Sequence, residues 1–480
     1  MERVDTLQVT DSQLLSIHRI PLPLLATLAG PLLGLCVWAL PLDLESNVHK
    51  TLAITTLVLV YWITEPVAHA VTAVIGCFLF WALNVTSFSV AYSGFANPAP
   101  WFVFGALLIG QATSSTGLAK RLSLLIMVRL GTSYTRLLFG ILSILLLLQF
   151  LVPSGNAQIA ILAPVLIHFI NTFGVPPTSN IAKGCFLIVV YASVLIGKMF
   201  LNSAPAILVR GIIEYQVGLN LMWSQWLIAC LPLSLVTLFT CWTTSLWLFP
   251  PERRVLPGGS ESLQQALQAL GPWTTHERKA LGWIVLAILL WTTDFVHHTH
   301  PALIALGAGL ILTLPHVGVL DTTAFKSVNF LVIIFLAGAA SLSNVLIETN
   351  TLNFFAVALS QWALPLFSEP LSNVMTTYGG GFLYHLLMPS ETPMVATGLP
   401  LLLQMTAPLG YSPITIGILW ALTSGSCLFV YQSSILVLGY SYGYFTSRDL
   451  LKVGAILTVL QGFFIILLAL FYWPAIGLAH

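Results

Sequence analysis

Pro153-Ser154-Gly155-Asn156 and Pro389-Ser390-Glu391-Thr392 are two short polar breaks in long apolar stretches, where a continuous membrane helix has no reason to stop. The punctuation after each break matches. Ser154 is followed by Pro164, Gly174 and Pro177, and Ser390 by Pro400, Gly410 and Pro413, each pair 236 residues apart (390 against 154, 413 against 177). Four coincidences at one offset point to a duplicated unit, and duplicated broken helices point to a membrane transporter.

Composition agrees. The 480 residues are 57% hydrophobic and only 7% charged, with a mean hydropathy of +0.93. A soluble domain carries about 25% charged residues, so this chain cannot cover itself with polar surface. The 17 basic residues are too scattered for a nucleic-acid face. The six cysteines (36, 77, 185, 230, 241, 427) show no ligand spacing and read as apolar filler.

Moving outward, residues 1–20 form a mixed polar N-terminal segment, unlike a secretory signal. Spans follow at 21–42, from about 51 to 64, and from 71 toward 92; Trp101 to Gly117 carries three glycines suited to close packing. Lys120, Arg121, Arg129 and Arg136 form the densest basic region, which the positive-inside rule places in the cytoplasm. Around Ser154, the apolar arms 137–149 and 159–170 are each short of a span, so 137–172 is expected to be a re-entrant hairpin. Residues 181–218 are interrupted at Gly197-Lys198 and Asn202-Ser203-Ala204-Pro205, predicting a discontinuous helix. Residues 251–279 form a hydrophilic, cytoplasmic linker between a first half, 21–250, and a second, 280–480. In the second half a hairpin is expected at about 372–408. A broken helix at 413–444, interrupted at Phe429-Val430-Tyr431-Gln432-Ser433-Ser434, and a last span from Val453 to Pro474 complete it.

The expected architecture is an all-α polytopic membrane protein. It has about eleven transmembrane segments plus two re-entrant helical hairpins in an inverted repeat. An even number of crossings separates the N-terminus from the linker, and an odd number separates the hairpins. The hairpins then enter from opposite faces and meet near the midplane.

The motifs resemble those of the divalent-anion:sodium symporters, within the wider ion-transporter superfamily. The likeness rests on Trp62-Ile63-Thr64-Glu65 before proline, on Gly117-Leu118-Ala119-Lys120-Arg121, and on the two breaks, which stand where the family has Ser-Asn-Thr tips. It rests also on Ile196-Gly197-Lys198 and Asn202-Ser203-Ala204-Pro205-Ala206-Ile207-Leu208, beside the family's Ile-Gly-Gly and Thr-Pro-Pro-Asn-Ala-Ile-Leu. The resemblance implies secondary transport of a di- or tricarboxylate or sulfate, in a homodimer whose transport domain slides against a scaffold. Gly155 and Glu391 stand where the family's asparagines would be, and Lys198 replaces a glycine beside its first sodium site. A fixed ammonium there would substitute for the ion.

The expected substrate-binding residues are Ser154, Gly155, Asn156, Ser390, Glu391, Thr392, Asn202, Ser203, Gln432 and Ser433, with Lys198 and Glu391 as ion-coupling or charge-compensating groups. The serines could instead be simple helix caps, and Lys198 could snorkel to an interface. Glu65 reads as a helix end. His297, His298 and His300, with Asp294, are near-ligand in spacing but read as interface residues rather than a metal site. His385, on the arm to the second tip, could shuttle protons. No cofactor is expected beyond sodium or a proton as coupling ion. The partners are a small anion and the lipid bilayer, in the plasma (inner) membrane with a cytoplasmic N-terminus. A proton-coupled carrier or cation antiporter using Glu391 is the alternative. A membrane-embedded enzyme lacks any G-x-S-x-G or H-E-x-x-H constellation.

Overall fold

A computed structural model describes residues 22–130, 133–152, 154–255 and 259–478. The expected N-terminal segment 1–20, Pro153 of the first break, and Pro257-Gly258 of the linker lie outside the described residues. Among those described, the chain is helical and forms no strand beyond one isolated bridge between Ser133 and Val255. Helices satisfy their own backbone groups, as a chain without water around it must. Leu32, Leu235, Phe239, Leu303, Leu383 and Phe471 all stand exposed. That outward apolar face, over a helical scaffold, makes this an integral membrane protein.

The first half runs through Leu22–Ala39, Ser46–Thr64, His69–Ala82, Pro98–Ser115, Leu118–Leu130, Tyr134–Leu151, Gly155–Phe173, Asn180–Gly197, Ala204–Val217 and Trp223–Leu248. The second runs through Thr275–Thr292, Pro301–Ile311, Phe330–Glu348, Thr351–Ala363, Pro370–Leu387, Glu391–Thr406, Pro413–Thr423, Ser434–Ser441 and Ser447–Leu467. Four of the described helices, Asn180–Gly197, Trp223–Leu248, Phe330–Glu348 and Ser447–Ala475, are each long and apolar enough to cross a bilayer alone. Several others are apolar but shorter, among them Tyr134–Phe150 and Gly155–Asn171 on either side of the first break.

Three helices were not read from the sequence. Leu118–Leu130 follows Pro98–Ser115 at a 64° bend, and the same arrangement of helix, turn and 13-residue helix recurs at Phe330–Glu348 and Thr351–Ala363. The turn residues correspond: Gly117 at φ +80° and Asn350 at φ +56°, both left-handed, which glycine and asparagine tolerate best. The third, Gly259–Ala269, lies in the linker. Arg121 pins the segment after it. Its Nε donates to Glu277 Oε1 at 2.7 Å, and its terminal nitrogens donate to the carbonyls of Leu270, Gly271 and Pro272. Trp273 lies under the guanidinium at 5.3 Å.

The hairpin arms are also longer than their apolar runs. Ser133 caps Tyr134–Leu151 by accepting from Arg136 N, and Gly174, left-handed at φ +62°, closes Gly155–Phe173. Caps outside the apolar run therefore set the arm ends.

The packing between halves is reciprocal. His69–Ala82 packs on Phe330–Glu348, and Pro301–Ile311 packs on Pro98–Ser115. Glycines permit both crossings: a Cβ on Gly338 would press on Ala73, and one on Gly105 would enter the backbone of Ala305. Likewise Ala204–Val217 packs on Glu391–Thr406 and Pro413–Thr423, while Ser434–Ser441 packs on Gly155–Phe173 and Asn180–Gly197. Each of these contacts recurs between the halves with its two partners exchanged.

Candidate functional site

Each break leaves a helix starting inside the protein. Ser154, Ser203, Ser390 and Ser433 occupy the cap positions of Gly155–Phe173, Ala204–Val217, Glu391–Thr406 and Ser434–Ser441. Ser154 Oγ accepts from Ala157 N at 3.4 Å and Ser433 Oγ from Ile435 N at 3.3 Å. Ser203 and Ser390 hold the position without such a bond. The opening residues of all four helices line one cavity of about 1150 Å³. The first N–H groups of a helix have no partner within it, so four positive dipole ends converge there, with those first-turn N–H groups that Ser154 and Ser433 do not cap and that Pro205 and Pro393 do not remove.

Nine of the ten expected substrate-binding residues line this cavity: Ser154, Gly155, Asn156, Asn202, Ser203, Ser390, Glu391, Thr392 and Ser433. Lys198 lines it too, and its Nζ lies 2.5 Å from Glu391 Oε2 while also donating to the Val194 carbonyl at 3.1 Å. Lys198 is thus buried and ion-paired inside the protein rather than extended to its surface. Asn156 Nδ2 donates to Ser434 Oγ at 3.1 Å, joining the first tip to the second broken helix.

Two of the expected substrate-binding residues brace the loops of the breaks. Gln432 is fully buried away from the cavity. Its Oε1 accepts from Leu428 N and Phe429 N at 2.7 and 2.8 Å, and its Nε2 donates to the His385 carbonyl at 3.2 Å. Asn202 borders the cavity, but its Nδ2 donates to the Gln149 carbonyl at 3.0 Å and its Oδ1 accepts from Trp223 Nε1 at 2.8 Å. The loops need those amides because irregular buried backbone leaves groups that must be paired. The two braces correspond. Gln149 and His385 are 236 residues apart, the hairpin offset, and each offers its carbonyl to the amide that closes the neighbouring break.

Other side chains fall as follows. His385 is buried, with Nε2 against the Gln432 carbonyl at 3.1 Å, so it belongs to the brace. Glu65 ends its helix in a left-handed conformation, and its carboxylate lies 3.4 Å from His69 Nε2; both line the cavity rim. Asp294 accepts from Trp223 N and Ser224 N. His297 and His300 accept from Thr299 N and Ala302 N, and the histidine cluster is engaged in turns. No group of three or more metal-ligating side chains occurs among the described residues. Sequence reasoning missed Gln149, Gln158 and Ser193. Gln149 bonds Gln158 at 3.2 Å, and Gln158 donates to the Val152 carbonyl at 2.7 Å, stiffening the first tip. The 236-residue offset would have flagged Gln149 through His385.

A helical membrane protein with paired broken helices around one central cavity is a membrane transporter by fold. Residues 22–479 match the model of the sodium:sulfate symporter transmembrane region, and the chain belongs to that family. Among curated relatives, a membrane protein of Cupriavidus necator is 28% identical, the match covering 89% of this chain and 88% of its own length. The L-tartrate/succinate antiporters of Shigella sonnei and Escherichia coli O157:H7 are each 25% identical, covering 93% of this chain and 97% of theirs. The crystal structure of the Alcanivorax borkumensis YdaH transporter superposes with a TM-score of 0.56 at 16% identity, covering 81% of this chain and 88% of that one.

Proposed function

We propose that the chain is a secondary carrier of small carboxylates that exchanges one for another without requiring sodium. One observation carries this reading: the Lys198–Glu391 ion pair lies inside the cavity on which four helix N-termini converge. Unpaired N–H groups and serine hydroxyls suit an anion, and neutral donors bind firmly enough to select yet release. Lys198 places its amine, ion-paired with Glu391, at the broken-helix turn, the place where a bound cation would serve an anion carrier. The names of the tartrate/succinate antiporters are consistent with carboxylate exchange.

The reciprocal packing supports an inverted repeat with re-entrant hairpins meeting at the midplane. The hairpins and broken helices would then move as one body past the remaining helices, an elevator-type motion. A homodimeric scaffold in the inner membrane, with a cytoplasmic N-terminus, fits this arrangement. The test is ligand-induced thermal stabilisation of purified protein by carboxylates and sulfate, with sodium or choline as the cation. Stabilisation equal in both salts supports the proposal; stabilisation that needs sodium refutes its sodium-independent part.

A further inference from the structure

The cavity holds more buried acceptors than its own donors satisfy, and that surplus bears on the chemistry of the ligand. Glu391 occupies the first turn of its helix, where a carboxylate is drawn to the free N–H groups. The three other helices opening on the cavity have no acid in their first turn. An incoming anion therefore meets a protein carboxylate at the Glu391 N-terminus and at none of the other three first turns. Glu391 Oε2 is held by Lys198, but Oε1 is buried without a partner, and so is Asn156 Oδ1 across the same cavity. An ionised carboxylate accepts and never donates, so only a donor can complete Glu391. Lys198 Nζ carries three N–H groups and directs two at Val194 O and Glu391, which leaves one.

Resting on the carboxylate-carrier reading, we propose that the substrate is a hydroxycarboxylate and that Glu391 is the residue that reads its hydroxyl. The substrate carboxylate takes the third Lys198 N–H and the helix N-terminus at Ser154-Gly155-Asn156. Its hydroxyl donates to Glu391 Oε1. A plain dicarboxylate or sulfate brings acceptors alone, leaving Oε1 bare and setting a like charge beside it. Sites built to bond a hydroxyl discriminate strongly against analogues lacking it, because a buried polar group is then left unpaired.

The experiment is isothermal titration of the purified full chain, at neutral pH, with succinate, malate, tartrate and sulfate. The three organic acids share a four-carbon dicarboxylate frame with zero, one and two hydroxyls. Malate or tartrate is expected to bind at least about tenfold more tightly than succinate, the scale of one charge-assisted hydrogen bond. Glu391→Gln should reduce that ratio below about threefold; the double variant Lys198→Met/Glu391→Met, free of unpaired charge, should do the same. Equal wild-type affinity for succinate and both hydroxy acids overturns the proposal while leaving a carboxylate site. A ratio unchanged in both variants overturns the role of Glu391. Absence of binding by all four ligands overturns the anion-site reading itself and this inference with it.

Discussion

Neutralising one member of the Lys198–Glu391 pair should harm the protein more than neutralising both. The two side chains are 3% and 10% exposed and meet at 2.5 Å. Lys198→Met leaves a carboxylate buried with no counter-charge, and Glu391→Gln leaves the ammonium in the same state. Breaking a buried pair from one side costs about 3–5 kcal/mol, whereas replacing both members by neutral groups is often close to neutral. Each single variant should therefore lose about 3–5 kcal/mol, the double variant less than either, giving a coupling of at least about 3 kcal/mol. Equilibrium unfolding in detergent, followed by the fluorescence of the 14 tryptophans, measures this; two of them touch the site, since Trp226 Nε1 donates to the Lys198 carbonyl at 3.2 Å and Trp223 Nε1 to Asn202. A double variant whose loss equals the sum of the singles, within about 0.5 kcal/mol, would refute the pairing.

Four other outcomes are expected. Gln432→Ala removes three hydrogen bonds inside the second break and should lower stability by about 2–4 kcal/mol, more than Asn202→Ala, in the same unfolding assay. Gly105→Ala and Gly338→Ala should each cost about 1–3 kcal/mol by forcing apart the two reciprocal helix crossings; a neutral result in both would contradict the two-fold packing. Arg121→Lys loses the fork that binds Glu277 and three carbonyls, so limited proteolysis should cut the 259–273 segment faster than in wild type. Single cysteines at Ser133 and Ser372, near the outer feet of the hairpins, should react with an impermeant maleimide from opposite sides of the membrane. Reaction from one side would contradict the inverted repeat.

The breaks were legible because they violate an expectation: Ser154 and Ser390 interrupt apolar sequence that lipid alone would keep helical. Their repetition at one offset made the pairing visible without any contact information. The broken-helix residues Ser203 and Ser433 followed from the same logic. Gln432 and Asn202 show where it stops. Whether an amide faces the cavity or braces a loop depends on which backbone groups the loop leaves unpaired, and spacing does not encode that. The helices Leu118–Leu130 and Thr351–Ala363 were missed because they are amphipathic and short, so a search for membrane-length apolar runs passes over them. Convergence of the breaks made Glu391 the candidate partner of Lys198, 193 residues earlier, and the two do meet, although spacing alone does not encode the contact. That contact depends on Asn180–Gly197 and the second hairpin tip meeting in three dimensions.

Carboxylate exchange at the cavity shared by the tips and breaks, independent of sodium, can be tested directly. The measurement is counterflow in proteoliposomes: vesicles loaded with unlabelled malate are diluted into trace radiolabelled malate, with choline as the only monovalent cation on both sides. Label should accumulate transiently above equilibrium, an effect abolished when the vesicles are loaded with buffer alone and strongly reduced by Glu391→Gln. Accumulation that appears only when sodium is restored, with a saturable dependence on its concentration, would contradict it.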